Sequence, residues 1–331
     1  MLILAGDIGG TKTLLQIANF NDKNHKTILH EHRYVSADWS DLTDMVSAFL
    51  TSIIKEEGTI ALHSACFGIA GPVTGRQGWV TNLSWELDAD KMQSVLGIPK
   101  VRLINDFAAV GYGLEALGPD DIIELQTGQQ AEHAPCALIG AGTGLGQGIL
   151  VWQDDHYEVM SSEGGHCDFA PVDDEQIELL SYLIERFGHV SYERVCCGRG
   201  LVNIYEFLRD KTPAKETEAM KQAMASGDPA AAVSIAGLED SDELASQAMH
   251  IFAKIYGQQA GNLALTCMSG GGVYIAGGIA PKVIDKLKDG TFTTAFNDKG
   301  RMVKLTEVMP VRVVMNANVG LMGAALAASR L

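Results

Sequence analysis

The chain has 331 residues, 47% of them hydrophobic and 20% charged, the balance of an ordinary globular enzyme and not of a disordered segment. Its length exceeds the roughly 250–300 residues at which single cores tend to split, which predicts two domains. With 41 acidic against 25 basic residues the formal net charge is −16, a surface that disfavours duplex nucleic acid and anionic membranes as partners, so any anionic ligand must be held locally by backbone N–H groups, a few cations or a metal ion.

MLILAG and LLQIANF flank the stretch DIGGTKT, so the chain opens as two strands around a glycine turn, a hairpin and not a strand leading into a helix. A polar stretch, 21–26, follows. From Asp41 to Lys55 the residues Leu42, Met45, Val46, Phe49, Leu50 and Ile53 recur on one helical face. The strand SACFGIAGPV leads to a turn, and Asp88 to Leu96 reads as a second helix. VRLIND is a strand that runs into the helical stretch FAAVGYGLEAL.

The pattern then restarts. Ala137 to Trp152, ALIGAGTGLGQGILVW, is again strand, glycine-threonine turn and strand, an echo that predicts a duplicated unit. Asp173 and Asp174 are placed to cap a helix through QIELLSYLIERF that Gly188 ends. A further helix is expected over Gly200–Asp210, short helices and loops over Asp210–Asp242, and a long amphipathic helix over Asp242–Thr266. VYIAGGIAPK is a third strand followed by a glycine turn, and a small-residue helix closes the chain over Asn318–Ser329. No Gly/Ser or Pro-rich linker divides the sequence. The domains are therefore expected to be joined by strand-to-helix crossings, the first near Gly111–Leu117, with a cleft between them.

The six cysteines, Cys66, Cys136, Cys167, Cys196, Cys197 and Cys267, form no CxxC pair, and they read as buried or idle thiols in a reducing compartment. The N-terminus lacks a charged n-region and a cleavage site, and no stretch reaches the ~18 apolar residues of a membrane span. A cytoplasmic protein is expected.

Three glycine turns, each after an apolar strand, point to several contacts on one polyphosphate ligand, because glycine lets N–H groups approach closely and threonine adds a hydroxyl donor. GxxxxGK[ST] is absent, since the chain contains no Gly-Lys dipeptide. GxGxxG fails as well: in GAGTGLG, Leu145 stands where the third glycine would fall, which disfavours a nicotinamide oxidoreductase. Asp106, at the end of an apolar strand and directly before a helix with Asn105 beside it, has two readings. It is either a helix N-cap or a general base for phosphoryl transfer. In SSEGGHCDF the glycines form a turn that can aim Glu163 and His166 the same way, with Asp168 just beyond; such a set suits hydrogen bonds to vicinal hydroxyls and makes a poor metal site.

DIGGTKT, INDFAA, GAGTGLGQG, EGGHCDF, ERV followed by CCGRGLVNIYEFL, and VYIAGGIAP stand in the order seen in bacterial glucokinases, members of the hexokinase/actin-like ATPase superfamily. The resemblance runs from residue 6 to the C-terminal helix. It implies two actin-like (ribonuclease H-like) α/β domains flanking a cleft: a small N-terminal domain of residues 1–114 plus about 316–331, and a larger one of 115–315. It further implies ATP-dependent phosphorylation of glucose at the 6-hydroxyl, with Asp106 as the base. Asn105, Gly144, Glu163, His166 and Glu193 would hold the sugar, with the loop Asn82–Trp85 nearby. Gly9, Gly10, Thr11 and Lys12 would hold the β- and γ-phosphates of ATP, Asp7 would orient Mg²⁺ through water, Gly142 and Thr143 would hold the phosphates from the other domain, and Gly277 and Gly278 would lie against the adenosine.

The sequence departs from its relatives in two places. The related ROK kinases carry a CxCGxxGC zinc cluster that Cys196-Cys197-Gly198 does not supply, which places the chain in the non-ROK branch without a structural zinc. Many glucokinases of this branch carry Asn where Lys12 stands, leaving its side chain either a phosphate contact or a charge at the lip of the cleft. A kinase for another hexose or a hexosamine on the same scaffold is the alternative function. A DNA-binding regulator is disfavoured by the acidic charge, and an actin-like assembly ATPase would not require Asn105, Glu163 and His166. A homodimer is the expected assembly.

Overall fold

The computed structural model describes residues 1–20 and 26–331; the part of the polar stretch at 21–25 lies outside the described residues. Two compact units are present. Unit 1 comprises Met1–Asp120, Tyr157–Ser161 and Asn316–Leu331, and unit 2 comprises Asp121–His156 and Ser162–Met315.

Unit 1 begins with β1 (Leu2–Ile8) and β2 (Lys12–Phe20), antiparallel from Leu2↔Asn19 to Ile8↔Thr13, so the hairpin read from the sequence forms and only Gly9–Thr11 remain as its turn. Then come β3 (Lys26–Val35), α1 (Leu42–Glu57), β4 (Ser64–Ile69), a small sheet of β5 (Val73–Thr74), β6 (Gln77–Trp79) and β7 (Glu86–Asp88), α2 (Ala89–Leu96), β8 (Val101–Asn105) and α3 (Asp106–Gly113). The main sheet has the order β3-β2-β1-β4-β8, with β1, β4 and β8 parallel. Asp41 caps α1 by accepting the Thr43 N–H, and Leu42, Met45, Val46, Phe49 and Ile53 are buried against one face of the sheet. A 16-residue helix gains its stability from burying such an apolar stripe rather than from propensity alone.

The chain's last helix returns to the opposite face of the same sheet, burying Leu321, Ala324, Ala325, Ala327 and Ala328 with Ile3, Ala5, Cys66, Ile104 and Tyr112. Its crossing with α3 is close. A Cβ on Gly323 would collide with the carbonyl oxygen of Ala109, and one on Gly113 with that of Val319. Glycine at both positions lets the backbones approach to this distance.

Unit 2 repeats the plan. Its strands are β9 (Ile122–Gln126), β10 (Cys136–Ala141), β11 (Leu145–Gln153), β13 (Gly272–Ala276) and β14 (Val311–Val314), whereas β12 (His156–Ser162) belongs to unit 1 over Tyr157–Ser161. Within this unit the strand order is β11-β10-β13-β14-β9. As in unit 1, an antiparallel hairpin, here β10–β11, is extended by strands parallel to its first member, here β13 and β14. The predicted duplication is therefore present in topology. Its helices are α4 (Asp174–Phe187), α5 (Gly198–Lys211), α6 (Glu218–Ser226), α7 (Pro229–Leu238), α8 (Glu243–Cys267), α9 (Ile284–Lys288), α10 (Thr291–Asn297) and α11 (Val303–Thr306); the closing helix of unit 1 is α12 (Val319–Ser329). Asp173 and Asp242 cap α4 and α8, and Phe252, Tyr256 and Ala260 of α8 are buried with Ile139 and Ile275 of the sheet.

Among the described residues no helix is long and apolar enough to cross a membrane. All six cysteines are free thiols; Cys66, Cys136, Cys196 and Cys197 are buried and Cys167 is exposed.

Candidate active site

In unit 1 three parallel strands end side by side, since β1 pairs with β4 up to Ile8↔Ile69 and β4 with β8 up to Ile69↔Asn105. Asp7, the Gly9–Thr11 turn, Asn105 and Asp106 therefore share one edge of the sheet. Ligands of parallel α/β sheets collect at such carboxyl ends.

The first turn is held from below. Gly9 N–H donates to Lys12 O at 3.0 Å, Ser36 N–H donates to Thr11 O at 3.0 Å, and Ser36 Oγ donates to Gly9 O at 2.7 Å. Ser36 is fully buried and also shares a 3.1 Å hydrogen bond with Thr13 Oγ1. With its carbonyls tied down, the turn keeps the N–H groups of Gly10 and Thr11 without a partner among the described residues. Two adjacent unpaired amides form a cradle for an anionic oxygen. The loop at Asn82 lies beside the turn, for a Cβ on Gly10 would stand 2.9 Å from Asn82 Cβ. Lys12 is exposed and makes no ion pair among the described residues.

Asn105, and not Asp106, is the N-cap of α3. Its Oδ1 accepts the N–H groups of Phe107 and Ala108 at 2.9 and 3.2 Å, and its Nδ2 donates to Gly71 O at 3.1 Å and to Asp106 Oδ1 at 3.0 Å. Asp106 Oδ1 also accepts Phe107 N–H at 2.9 Å, while Oδ2 accepts nothing among the described residues. Burial pushes the Asp106 carboxyl up to about 6; the Phe107 amide acts against this, and the neighbouring Asp7 charge adds to it. Burial likewise raises Asp7, which has neither a cation nor a hydrogen-bond partner among the described residues. A half-buried carboxylate without a counter-charge beside an anion cradle fits a divalent cation that reaches it through water. Among the described residues no group of three or more His, Cys, Asp or Glu is placed to hold a metal. Phosphate oxygens and water would have to complete the shell.

In unit 2 the second glycine turn, 142–144, has Gly142 N–H donating to Gly144 O at 2.8 Å, and Thr143 and Gly144 keep unpaired N–H groups among the described residues. Glu193 closes on this turn: its Oε2 accepts Leu145 N–H at 2.9 Å, and a Cβ on Gly144 would stand 2.5 Å from that oxygen. The Glu163–His166 turn seats on the same strand, with Gly165 against Leu145 O and Gly164 against the Gln147 side chain. Glu163 and His166 are exposed, with Oε2 and Nε2 3.9 Å apart. Gly144, Glu163, His166 and Glu193 are thus gathered around the first residues of β11. Asp168 stands further out, 3.5 Å from His189.

The third turn follows β13, whose Ala276 pairs with Gly140 of β10. Gly277, at φ +84°, packs against the backbone of Ala141, and the N-terminus of α5 joins them through Gly198 N–H donating to Gly142 O at 2.9 Å. Gly142, Thr143, Gly277 and Gly278 therefore lie together. Sequence reading missed Ser36, because a buried serine at the end of a neighbouring strand carries no motif. It missed Gln147 for a similar reason: the residue is 4% exposed with its Nε2 unpartnered among the described residues, inside a stretch read only for its glycines.

A duplicated sheet with paired glycine turns at its strand ends and a half-buried aspartate before a helix defines the actin-like ATPase fold in its sugar-kinase form. A sequence model of the glucokinase family matches residues 4–331, and a glucokinase of Nostoc punctiforme is 46% identical over 343 aligned positions, covering 100% of this chain and 99% of that one. The chain belongs to the glucokinase family. The crystal structure of a glucokinase from an Antarctic psychrotroph superposes with a TM-score of 0.87 at 30% identity over 100% of this chain and 99% of its own. A ROK family glucokinase from Streptomyces griseus, in complex with glucose and AMPPNP, shares the fold at a TM-score of 0.62 and 21% identity, covering all of both chains.

Proposed function

We propose that Asp106 is the general base that takes the proton of the glucose 6-hydroxyl as that oxygen attacks the γ-phosphorus of ATP. Membership of the glucokinase family makes the chain an enzyme that phosphorylates glucose with ATP. The observation that carries the assignment of the base is its environment. One oxygen of Asp106 is pinned by Asn105 and Phe107, the other is open, and burial lifts the group to about 6, near the pH at which it must accept a proton.

Asn105 fixes Asp106 and presents its own amide at the same edge. Glu163, His166 and Glu193 would take the remaining sugar hydroxyls, with Gly144 leaving room beside Glu193. Gly9, Gly10, Thr11 and Lys12, and in unit 2 Gly142 and Thr143, would hold the phosphates, while Gly277 and Gly278 would lie along the adenosine. Mg²⁺, with Asp7 reaching it through water, would neutralise charge on the phosphoryl oxygens. The nucleotide analogue and glucose bound to the Streptomyces griseus enzyme support both as ligands of this chain. A homodimer in the cytoplasm completes the reading, since paired copies are the commonest assembly of such enzymes.

A coupled assay of ADP release with ATP and a panel of hexoses and hexosamines tests this. Glucose should give the highest kcat/KM. A higher value for another sugar, or no sugar-dependent ADP, overturns it; light scattering reads the dimer.

A further inference from the structure

Unit 2 contains a cavity of about 300 Å³ between the C-terminal end of α4, the turn Tyr192–Arg194 and the start of α5. Arg194 and Arg199 both line it, with Ser191 and Asn203, and Thr143 and His166 stand at its border with the site described above. In this acidic chain half of the ten arginines find a carboxylate: Arg76, Arg186, Arg209, Arg312 and Arg330 each lie within 4 Å of one. Arg194 and Arg199 have no such partner among the described residues, and they face the same cavity.

Arg194 is held in place without a counter-ion. Its guanidinium lies 4.3 Å from the centre of the Phe187 ring, and its backbone is fixed by Arg194 N–H donating to Ser191 O and by Asn203 Nδ2 donating to Arg194 O at 2.9 Å. Stacking on a ring orients a guanidinium and leaves its N–H edge open. Arg199 sits in the first turn of α5, a 14-residue helix whose positive end adds to its charge. One carboxylate, Glu193, also lines the cavity, and its Oε2 accepts the Leu145 amide; Asp168 lies 3.5 Å from His189 and Glu163 lies 3.9 Å from His166.

We propose that this cavity binds a phosphate dianion, free or as a small phosphate monoester, between Arg194 and Arg199. Two guanidiniums with open N–H edges and a serine hydroxyl are a donor set for tetrahedral oxyanions, and the cavity is large enough for a phosphate with a sugar-sized substituent. Because Thr143, His166 and Glu193 border the same space, an occupant competes with the substrates of the proposed reaction. That competition rests on the functional reading above; the anion site itself does not.

Isothermal titration of the full chain with inorganic phosphate, and separately with glucose 6-phosphate, in the absence of ATP and glucose, reads the site directly. Saturable binding of either is expected, and R194Q/R199Q should weaken it at least tenfold while its kcat with saturating glucose and ATP stays within about threefold of the parent. Binding of phosphate alone identifies the free ion as the occupant, and binding of the ester alone identifies the monoester. Equal affinity in the parent and the double variant, or no saturable binding of either ligand by a chain that still phosphorylates glucose, overturns the proposal. A chain that binds phosphate through these arginines but fails the hexose panel keeps the anion site and loses the kinase reading.

Discussion

Asn105 and Asp106 divide two tasks that a single aspartate would have to combine: Asn105 Oδ1 caps α3 through Phe107 and Ala108, and Asp106 keeps Oδ2 open at the sheet edge. Losing the cap would cost about 1 kcal/mol of helix stability. Losing the open carboxylate should cost the reaction. Asp106→Ala is expected to lower kcat by about 10²–10⁴, the usual worth of general-base assistance, while calorimetry still finds glucose bound. Turnover within tenfold of the parent would remove Asp106 from the mechanism.

The raised Asp106 carboxyl also sets a pH dependence. The base acts ionised, so kcat/KM for glucose should fall below about pH 6, by tenfold per unit, whereas an aspartate at its ordinary value of 3.8 would place that limb two units lower. The sign for stability is opposite. The unfolded chain titrates this group near 3.8 and the folded chain near 6, so the folded state binds the proton more tightly and the ionised form is penalised on folding. Asp106→Asn should therefore melt higher than the parent above pH 6, and the gap should close as the pH falls toward 4. A gain of roughly 1 kcal/mol corresponds to about 2–4 °C in a domain of 150–250 residues. A pH-independent difference in Tm would contradict this origin.

Glu193 joins two turns that lie almost fifty residues apart in the sequence, by accepting Leu145 N–H at 2.9 Å. Glu193→Ala removes both this brace and the carboxylate beside Gly144, whereas Glu193→Gln keeps an acceptor for Leu145 and removes only the charge. A charge-assisted hydrogen bond to a sugar hydroxyl is worth about 1.5–3 kcal/mol. KM for glucose should rise at least tenfold in both variants, with KM for ATP within threefold in Glu193→Gln. An unchanged KM for glucose in Glu193→Gln would leave Glu193 a structural brace only.

What the sequence showed depended on how sharply each feature contrasts with its neighbours. The glycine turns were legible because apolar strands flank them, and α1 because Leu42, Met45, Val46, Phe49 and Ile53 hold a strict helical period and are buried as a set. Asp41, Asp88, Asp173 and Asp242 mark helix starts because a short carboxylate can reach the first free N–H groups. The edge strands were not legible. In β3, Ile28 and Val35 are 50% and 52% exposed, so burial leaves no alternation to read, and β12 is mostly exposed or half-buried along its length. The two readings of Asp106 could not be separated by composition, because a cap and a base both call for a carboxylate at a strand-to-helix junction. The geometry gives the cap to Asn105, and the base is the proposal made above. The unpaired arginines carried no signal at all, since a missing partner is visible only in three dimensions.

Gly113 and Gly323 give the last expectation, on stability. At the crossing of α3 and α12 there is no room for a side chain, because a Cβ on Gly323 would collide with Ala109 O and would stand 2.5 Å from Gly113 N. Neither neighbour is a flexible side-chain end; both are helix backbone, so relief requires the helices to part. Overpacking of a close interface costs about 1–3 kcal/mol and more when backbone must move. Gly323→Val should therefore lower Tm by at least 5 °C, and it should also lower kcat, because α3 carries Asp106 at its first turn. Gly58→Ala supplies the control: Gly58 has open space around its Cβ position but φ +86°, so its cost is local strain of about 1 kcal/mol and leaves kcat unchanged. If Gly323→Val and Gly58→Ala melt together and turn over alike, the crossing does not position the proposed base.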